Sequence, residues 1–319
     1  MLKLYLSRPL PDRVVAAASE GFDLTVRQAT TPMTKAEMHE ALAEADVIMP
    51  TLGDMFSAPV FAAAAKPRAR LLANFGVGYN HIDVEAARAA GLEVTNTPGA
   101  VTDATADIAL TLMLMTARRA GEGERLVRAG LWEGWHPTQL LGLHMTGKVL
   151  GVIGMGRIGQ AIAKRAHFGF GMQVLYHTRT PRPLPDLPDA RALPRLIDVM
   201  AAADIVVLAI PATPTTHHMI DADALAAMRP QAHLVNISRG DVIDEAALID
   251  ALRARRIAGA GLDVYEHEPQ VPEALRAMEN VVLLPHLGTA ALEVREAMGL
   301  MVLENARAFR DGRALPNVV

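Results

Sequence analysis

The segment VLGVIGMGRIGQAIAK, from Val149 to Lys164, constrains the fold of this chain more than any other. A short apolar run, Val149 to Ile153, leads into Gly154-Met155-Gly156-Arg157-Ile158-Gly159 and then into an apolar helical pattern. A Gly-rich turn alone is common, but between a strand and a helix it acquires mechanical sense. Gly154 makes the turn, Gly156 lets the backbone approach a pyrophosphate, and Gly159 lets the helix pack closely on the strand. The pyrophosphate would sit on free N–H groups at a helix N-terminus.

Strands and helices alternate along most of the chain. From residue 1 to about 98 the apolar runs are Leu4 to Leu6, Phe22 to Val26, Val47 to Met49, Leu71 to Phe75 and Leu92 to Thr95, separated by Ala-rich helical stretches. Thr34-Lys35-Ala36-Glu37 fits a capping box, and Asp83 fits the N-cap of a helix that Gly91 ends. A second alternation, from about 147 to 285, has strands near 149–153, 172–176, 205–210, 233–237, 259–264 and 281–284. Such alternation implies parallel sheets covered on both faces, an α/β protein of two Rossmann-like or flavodoxin-like domains. The chain is expected to cross into the second domain near 98–101 and to return near 286–290. That leaves 1–98 plus 290–319 as one domain, 99–289 as the other, and a cleft between them.

Composition excludes several classes. The 319 residues suffice for two cores. A net charge of -4 with scattered basic residues gives no footprint for nucleic acid. There is no cysteine, hence no disulfide and no thiolate zinc site. The start, MLKLYLSRPLPDR, lacks the apolar core of a signal peptide, and no apolar run is long enough to span a bilayer. A cytoplasmic protein is the expectation.

Three separated residues each follow one of these buried strands: Arg239 in LVNISRGDVID, Glu268 in AGLDVYEHEP and His286 in VVLLPHLGT. Loops at the carboxyl ends of parallel strands line one crevice, so the three can converge. A guanidinium can hold a carboxylate, an imidazole can trade a proton, and a carboxylate can raise that imidazole's pKa. With a dinucleotide fingerprint upstream, the set points to hydride transfer to a 2-oxo acid.

The adenosine ribose should be read about 20 residues after the glycines. There the strand Gln173-Val174-Leu175-Tyr176 is followed by His177-Thr178-Arg179-Thr180-Pro181-Arg182, with neither Asp nor Glu. A carboxylate there would repel a 2′-phosphate. Its absence, with hydroxyls and two arginines instead, favours the phosphorylated cofactor, with Arg179 the first candidate and Arg182 the second. In the first domain, Asn74-Phe75-Gly76-Val77-Gly78-Tyr79 follows a strand and can turn backbone N–H groups toward an anion. His81 reads as local structure. His217-His218 lies in a Thr-rich stretch without a matching carboxylate, and His39, His136, His144 and His167 lack ligand-like spacing, so no metal site is expected. Trp132 and Trp135 fall in a loop-like stretch, 130–146, and suit a partner surface or a local cover equally well.

Over essentially its full length the chain resembles the D-isomer-specific 2-hydroxyacid dehydrogenases, through NFGVGYNHID, VIGMGRIGQAIAKRA, LVNISRGDVIDEAALIDAL, AGAGLDVYEHEP and VVLLPHLGTA. Within that family it is most similar to the glyoxylate/hydroxypyruvate reductases, partly through LYHTRTPR. The resemblance implies that 1–98 plus 290–319 bind substrate and that 99–289 bind the dinucleotide. It implies that Arg239 binds the substrate carboxylate and polarises the 2-oxo group, with His286 the general acid and Glu268 its orienting partner. Val77 and Gly78 would donate N–H groups to the carboxylate, and Leu52 would shape the pocket. Asp263 would accept from the nicotinamide carboxamide, and Arg157 and Ile158 would join the glycines at the pyrophosphate. Pro211, Ile237 and Gly288, with Arg239 and His286, complete the implied cofactor contacts. The cofactor is expected to be NADP(H), with NAD(H) as the second option and no metal. The loop with both tryptophans resembles the family's dimer arm, which implies a homodimer.

Two other readings stand beside this one. Formate dehydrogenases resemble the fold but usually carry Gln where Glu268 stands, since no proton transfer accompanies that oxidation; a phosphite-oxidising relative is similar. Transcriptional corepressors that resemble these enzymes bind cofactor without turnover. Glu268 argues for a hydroxy acid.

Overall fold

The computed structural model describes residues 1–319 apart from Ala65 and Arg182, so the part proposed above for Arg182 lies outside the described residues. The chain forms two compact units, Met1–Val101 with Thr289–Val319, and Thr102–Gly288.

The first unit is built on five parallel strands: β1 (Lys3–Leu6), β2 (Asp23–Val26), β3 (Val47–Met49), β4 (Leu71–Ala73) and β5 (Glu93–Thr95). Their order, β2-β1-β3-β4-β5, is that of a flavodoxin-like sheet. Strands β3 and β4 are buried throughout, which is why they read as continuous apolar runs rather than alternating ones. Thr34 and Glu37 form the capping box of the helix Lys35–Glu44, and the Asp83 side chain caps the helix Val84–Ala89. The helix Leu292–Arg310 packs against the helix Asp12–Ser19 and against β4. It comes so close that a Cβ at Gly299 would lie 2.5 Å from a Val14 methyl.

The second unit has seven parallel strands: β6 (Val149–Ile153), β7 (Gln173–His177), β8 (Arg191–Ala192), β9 (Ile205–Leu208), β10 (His233–Asn236), β11 (Gly259–Leu262) and β12 (Val281–Leu283). Their order is β12-β11-β10-β9-β6-β7-β8. The chain starts at β6, builds outward to β8, then returns to β9 on the other side of β6. The reversal beside β6 is the switch point at which open α/β sheets bind ligands. The largely apolar helix Thr102–Ala117 lies against β10, β11 and the helix Arg157–Phe170. Gly261 lets it approach, since a Cβ there would meet Leu112 at 3.0 Å.

The sequence reading has six strands here, and β8 is the addition. It comprises two exposed residues paired with Leu175 and Tyr176 at the sheet edge. With no apolar run, it carries no periodic signal. At the start of β10, His233 is only 6% exposed and its Nδ1 lies 3.2 Å from Thr116 Oγ1. Burial pushes its pKa down to about 4.

Candidate active site

The glycine turn has distinct steric demands at each position. Gly154 sits at φ +97, where a Cβ would come within 2.5 Å of the Ala209 carbonyl oxygen. Gly159 lies one turn into the helix, and a Cβ there would sit 2.0 Å from the Gly154 carbonyl oxygen. At Gly156 a Cβ would meet nothing within 4 Å, so this backbone borders open space. Gly156 is also the N-cap of the helix Arg157–Phe170, and no side chain caps it. Uncapped N–H groups beside open space at a switch point fit the pyrophosphate of a dinucleotide. Arg157 is exposed and Ile158 half-buried at this helix start.

Beyond β6 the neighbouring strand ends carry the other implied contacts. His177 is the last residue of β7, and its Nδ1 lies 3.2 Å from the Leu193 carbonyl. Thr178 follows half-buried, with Arg179 and Thr180 exposed. Pro211 follows β9 and accepts a hydrogen bond from Thr216 Oγ1 at 2.8 Å. Ile237 is buried directly after β10.

Arg239, Glu268 and His286 follow the carboxyl ends of β10, β11 and β12. His286 Nδ1 lies 2.8 Å from Glu268 Oε2. The other Glu268 oxygen accepts the Tyr265 N–H at 3.1 Å, so the carboxylate is held from two sides. Burial works to raise the Glu268 pKa, but the hydrogen bond and charge of His286 prevail, with the Tyr265 N–H and the Arg239 charge, and the net shift is downward. Glu268 is therefore an anion beside the imidazole, and His286 Nε2 has no hydrogen-bond partner among the described residues. For Arg239, burial lowers the pKa while Glu268 and Asp241 oppose it; a guanidinium remains charged regardless. Its Nη1 donates to the Ser238 carbonyl at 2.6 Å.

The structure shows two supports that the sequence reading misses. Gly240 presses on the segment carrying Glu268, for a Cβ there would fall 1.8 Å from the Tyr265 carbonyl carbon. The backbone directly after Arg239 and the Tyr265–Glu266 backbone are thus in contact. Asp263, 1% exposed, accepts the Leu287 N–H at 2.6 Å and the Gly288 N–H at 2.9 Å. Its backbone carbonyl accepts the His286 N–H at 2.9 Å. The end of β11 thereby fixes the left-handed turn at His286, φ 55. Burial raises the Asp263 pKa against the pull of those N–H groups and of His286.

In the first unit, the loop after β4 directs its carbonyls inward. Asn74 Nδ2 donates to the carbonyls of Gly76 at 3.0 Å and Gly78 at 3.1 Å. Asn96 Nδ2 donates to the Val77 carbonyl at 2.8 Å. His81 Nε2 lies 3.0 Å from Asn74 Oδ1, which is the local structural part expected of it. With three successive carbonyls engaged, the N–H groups of Val77 and Gly78 donate to no described residue. Two successive free N–H groups are of the kind that can cradle an anion. The Phe75 N–H donates to the Pro50 carbonyl at 2.9 Å, which brings the loop carrying Leu52 alongside.

One expectation is overturned. His218 does have a carboxylate, for its Nε2 lies 2.9 Å from Glu266 Oε1. The partner is 48 residues away in sequence, so local spacing conceals it.

Known proteins share this combination of fold and sequence. The family described as D-isomer specific 2-hydroxyacid dehydrogenase, NAD binding domain, matches residues 110–288. The glyoxylate reductase of Thermococcus kodakarensis is 42% identical over 99% of this chain and 96% of its own. That of Pyrococcus furiosus is 42% identical over 99% and 95%. Among solved structures, a Thermus thermophilus protein has a TM-score of 0.92 at 42% identity, covering 100% of both chains. An NADPH-dependent glyoxylate/hydroxypyruvate reductase from Sinorhizobium meliloti, solved with NADP and malonate, has a TM-score of 0.87 at 36% identity, covering 100% of this chain and 96% of its own. The chain belongs to the D-isomer-specific 2-hydroxyacid dehydrogenase family.

Proposed function

We propose that the protein reduces a small 2-oxo acid, glyoxylate or hydroxypyruvate, to the D-2-hydroxy acid, and that it prefers NADPH to NADH. The observation that carries this reading is the 2.8 Å pairing of His286 Nδ1 with Glu268 Oε2. An imidazole backed by a carboxylate is a proton donor, and a donor is needed when a carbonyl oxygen becomes a hydroxyl. Formate oxidation needs none. The bound nicotinamide cofactor supplies the hydride.

The remaining roles fall to this chain's own groups. His286 protonates the developing alkoxide from Nε2, and Glu268 orients the ring through its contact with Nδ1. Arg239 holds the substrate carboxylate and polarises the 2-oxo group without competing as an acid. The N–H groups of Val77 and Gly78 are assigned to carboxylate binding, and Leu52 to selecting a small substituent. Gly154, Gly156, Arg157, Ile158 and Gly159 take the pyrophosphate. Pro211, Ile237, Asp263 and Gly288 take the remaining cofactor contacts. Both Asp263 oxygens already accept a backbone N–H, and each has a second lone pair for a carboxamide.

The NADPH preference rests on the residues after β7. No acid stands between His177 and Leu184 in the sequence, and Arg179 is exposed. Relatives with NADPH-dependent reductase activity include the Sinorhizobium meliloti enzyme. A homodimer is proposed through residues 130–146, where Trp135 is 80% and Trp132 53% exposed. Rings of that size in water favour burial against a second copy. No helix among the described residues is long and apolar enough to cross a membrane; a cytoplasmic location is part of the proposal.

The test is a panel of 2-oxo acids assayed with both reduced cofactors, followed by chiral analysis of the hydroxypyruvate product. D-glycerate formed faster with NADPH is expected. An L product, or no turnover of any 2-oxo acid, would overturn the reading.

A further inference from the structure

The pairing of His218 with Glu266 leads beyond the dehydrogenase chemistry. Consecutive side chains on ordinary backbone diverge, yet the imidazoles of His217 and His218 stack at 4.0 Å between centroids with 30° between planes. The left-handed conformation of His218, φ 47, brings them together. Such a conformation costs a non-Gly residue about 1 kcal/mol or more. The arrangement is anchored on both sides. The His218 N–H donates to the Asp241 carbonyl at 2.8 Å, and the Ile220 N–H to the Val242 carbonyl at 3.0 Å. Across from them, the Glu266 N–H meets Glu245 Oε1 at 3.4 Å. One ligand atom from each of His217, His218 and Glu266 lies within 4.8 Å of the other two.

We propose that His217, His218 and Glu266 form a binding site for a borderline divalent transition-metal ion such as Zn²⁺. Two imidazoles and one carboxylate match the preference of such ions rather than that of Ca²⁺ or Mg²⁺, which take oxygen ligands. Bonds of about 2.0–2.2 Å place the ligand atoms of a tetrahedral ion roughly 3.4 Å apart. Glu266 and His218 already stand closer than this, at 2.9 Å, and the exposed His217 ring can swing inward to complete the set. Three protein ligands leave a fourth position for water, as in open zinc sites. The ion would take the place of the direct contact between His218 Nε2 and Glu266 Oε1. Glu266 also lies two residues before Glu268, so a bound ion stiffens the segment that positions His286.

Titration of the purified full-length protein with Co²⁺, read by its visible absorption, and competition by Zn²⁺ test the site. One ion per chain is expected. His217→Ala removes only an exposed ring, and Glu266→Gln keeps the shape of the side chain, so both variants should fold. Each should weaken binding by at least about tenfold, the scale on which even outer-shell partners of a metal act. His286→Ala should bind as the parent does. Failure of the parent protein to bind Co²⁺ or Zn²⁺, unchanged binding by His217→Ala and Glu266→Gln, or loss of binding in His286→Ala would each overturn the site. None of these outcomes depends on the substrate assigned above.

Discussion

Replacing His233 with Gln should change how the protein's stability depends on pH. In the folded state burial depresses the His233 pKa from 6.5 to about 4, whereas in the unfolded chain the ring titrates normally. Between those values the unfolded state binds a proton that the folded state refuses, so stability falls as pH falls. At about 1.4 kcal/mol per pH unit, the loss is roughly 2.5 kcal/mol by pH 4.5 and about 3 kcal/mol below pH 4. Above pH 6.5 both states are neutral and the penalty vanishes. The carboxylates that titrate over the same range are common to both proteins and cancel in the comparison. Gln offers Thr116 a hydrogen bond of similar kind, so the variant should lie within about 1 kcal/mol of the parent at pH 8. Urea unfolding followed by far-UV circular dichroism at pH 8, 6 and 4.5 measures the difference. The expected result is a variant that becomes the more stable protein at pH 4.5. Parallel stability curves for the two proteins would refute the reasoning, since they would mean that His233 is protonated in the folded state as readily as in the unfolded one.

Four further outcomes are expected. His286→Ala should lower kcat by roughly 10²–10⁴-fold while cofactor affinity holds, and near-parental turnover at neutral pH would place the proton donor elsewhere. Gly240→Ala drives a methyl into the Tyr265 backbone and shifts the Glu268 segment; because displacements near 1 Å at a reacting centre cost about 100-fold, kcat should fall on that scale with NADPH binding retained. Asn96→Ala releases the Val77 carbonyl and should raise KM for the 2-oxo acid about fivefold, leaving KM for NADPH alone. Arg179→Ala should raise KM for NADPH roughly ten- to hundredfold and barely alter that for NADH; equal changes for both would turn this loop away from the 2′-phosphate.

What could be read from the sequence was whatever leaves a local pattern. Among the described residues, all eleven strands of three or more residues coincide with runs read from the sequence, and the capping box at Thr34 and the Asp83 cap are where the sequence puts them. The two-residue β8 left no trace because its pairing with β7 requires neither an apolar nor an alternating sequence. Arg239, Glu268 and His286 could be picked out because each follows a strand, and parallel strands collect such residues at one end. Their supports could not. Asn74 and Asn96 are ordinary polar loop residues until folding sets them under the carbonyls of Gly76, Val77 and Gly78. The tie between His218 and Glu266 spans separate elements and depends on a left-handed residue that the sequence does not announce.

The loop at Val77–Gly78 has an implication for how substrate range can drift. Its donors are main-chain N–H groups, which every residue except proline carries, and their direction is set by amides at positions 74 and 96. The side chain at Val77 is half-buried and takes no part in holding an anion. Under the carboxylate-binding role proposed for these N–H groups, mutation at 77, or at Leu52 in the loop alongside, reshapes the space around a substituent and leaves the donors in place. On that proposal the loop separates what all 2-oxo acid substrates share from what distinguishes them, and single substitutions can explore new ones without first losing the old.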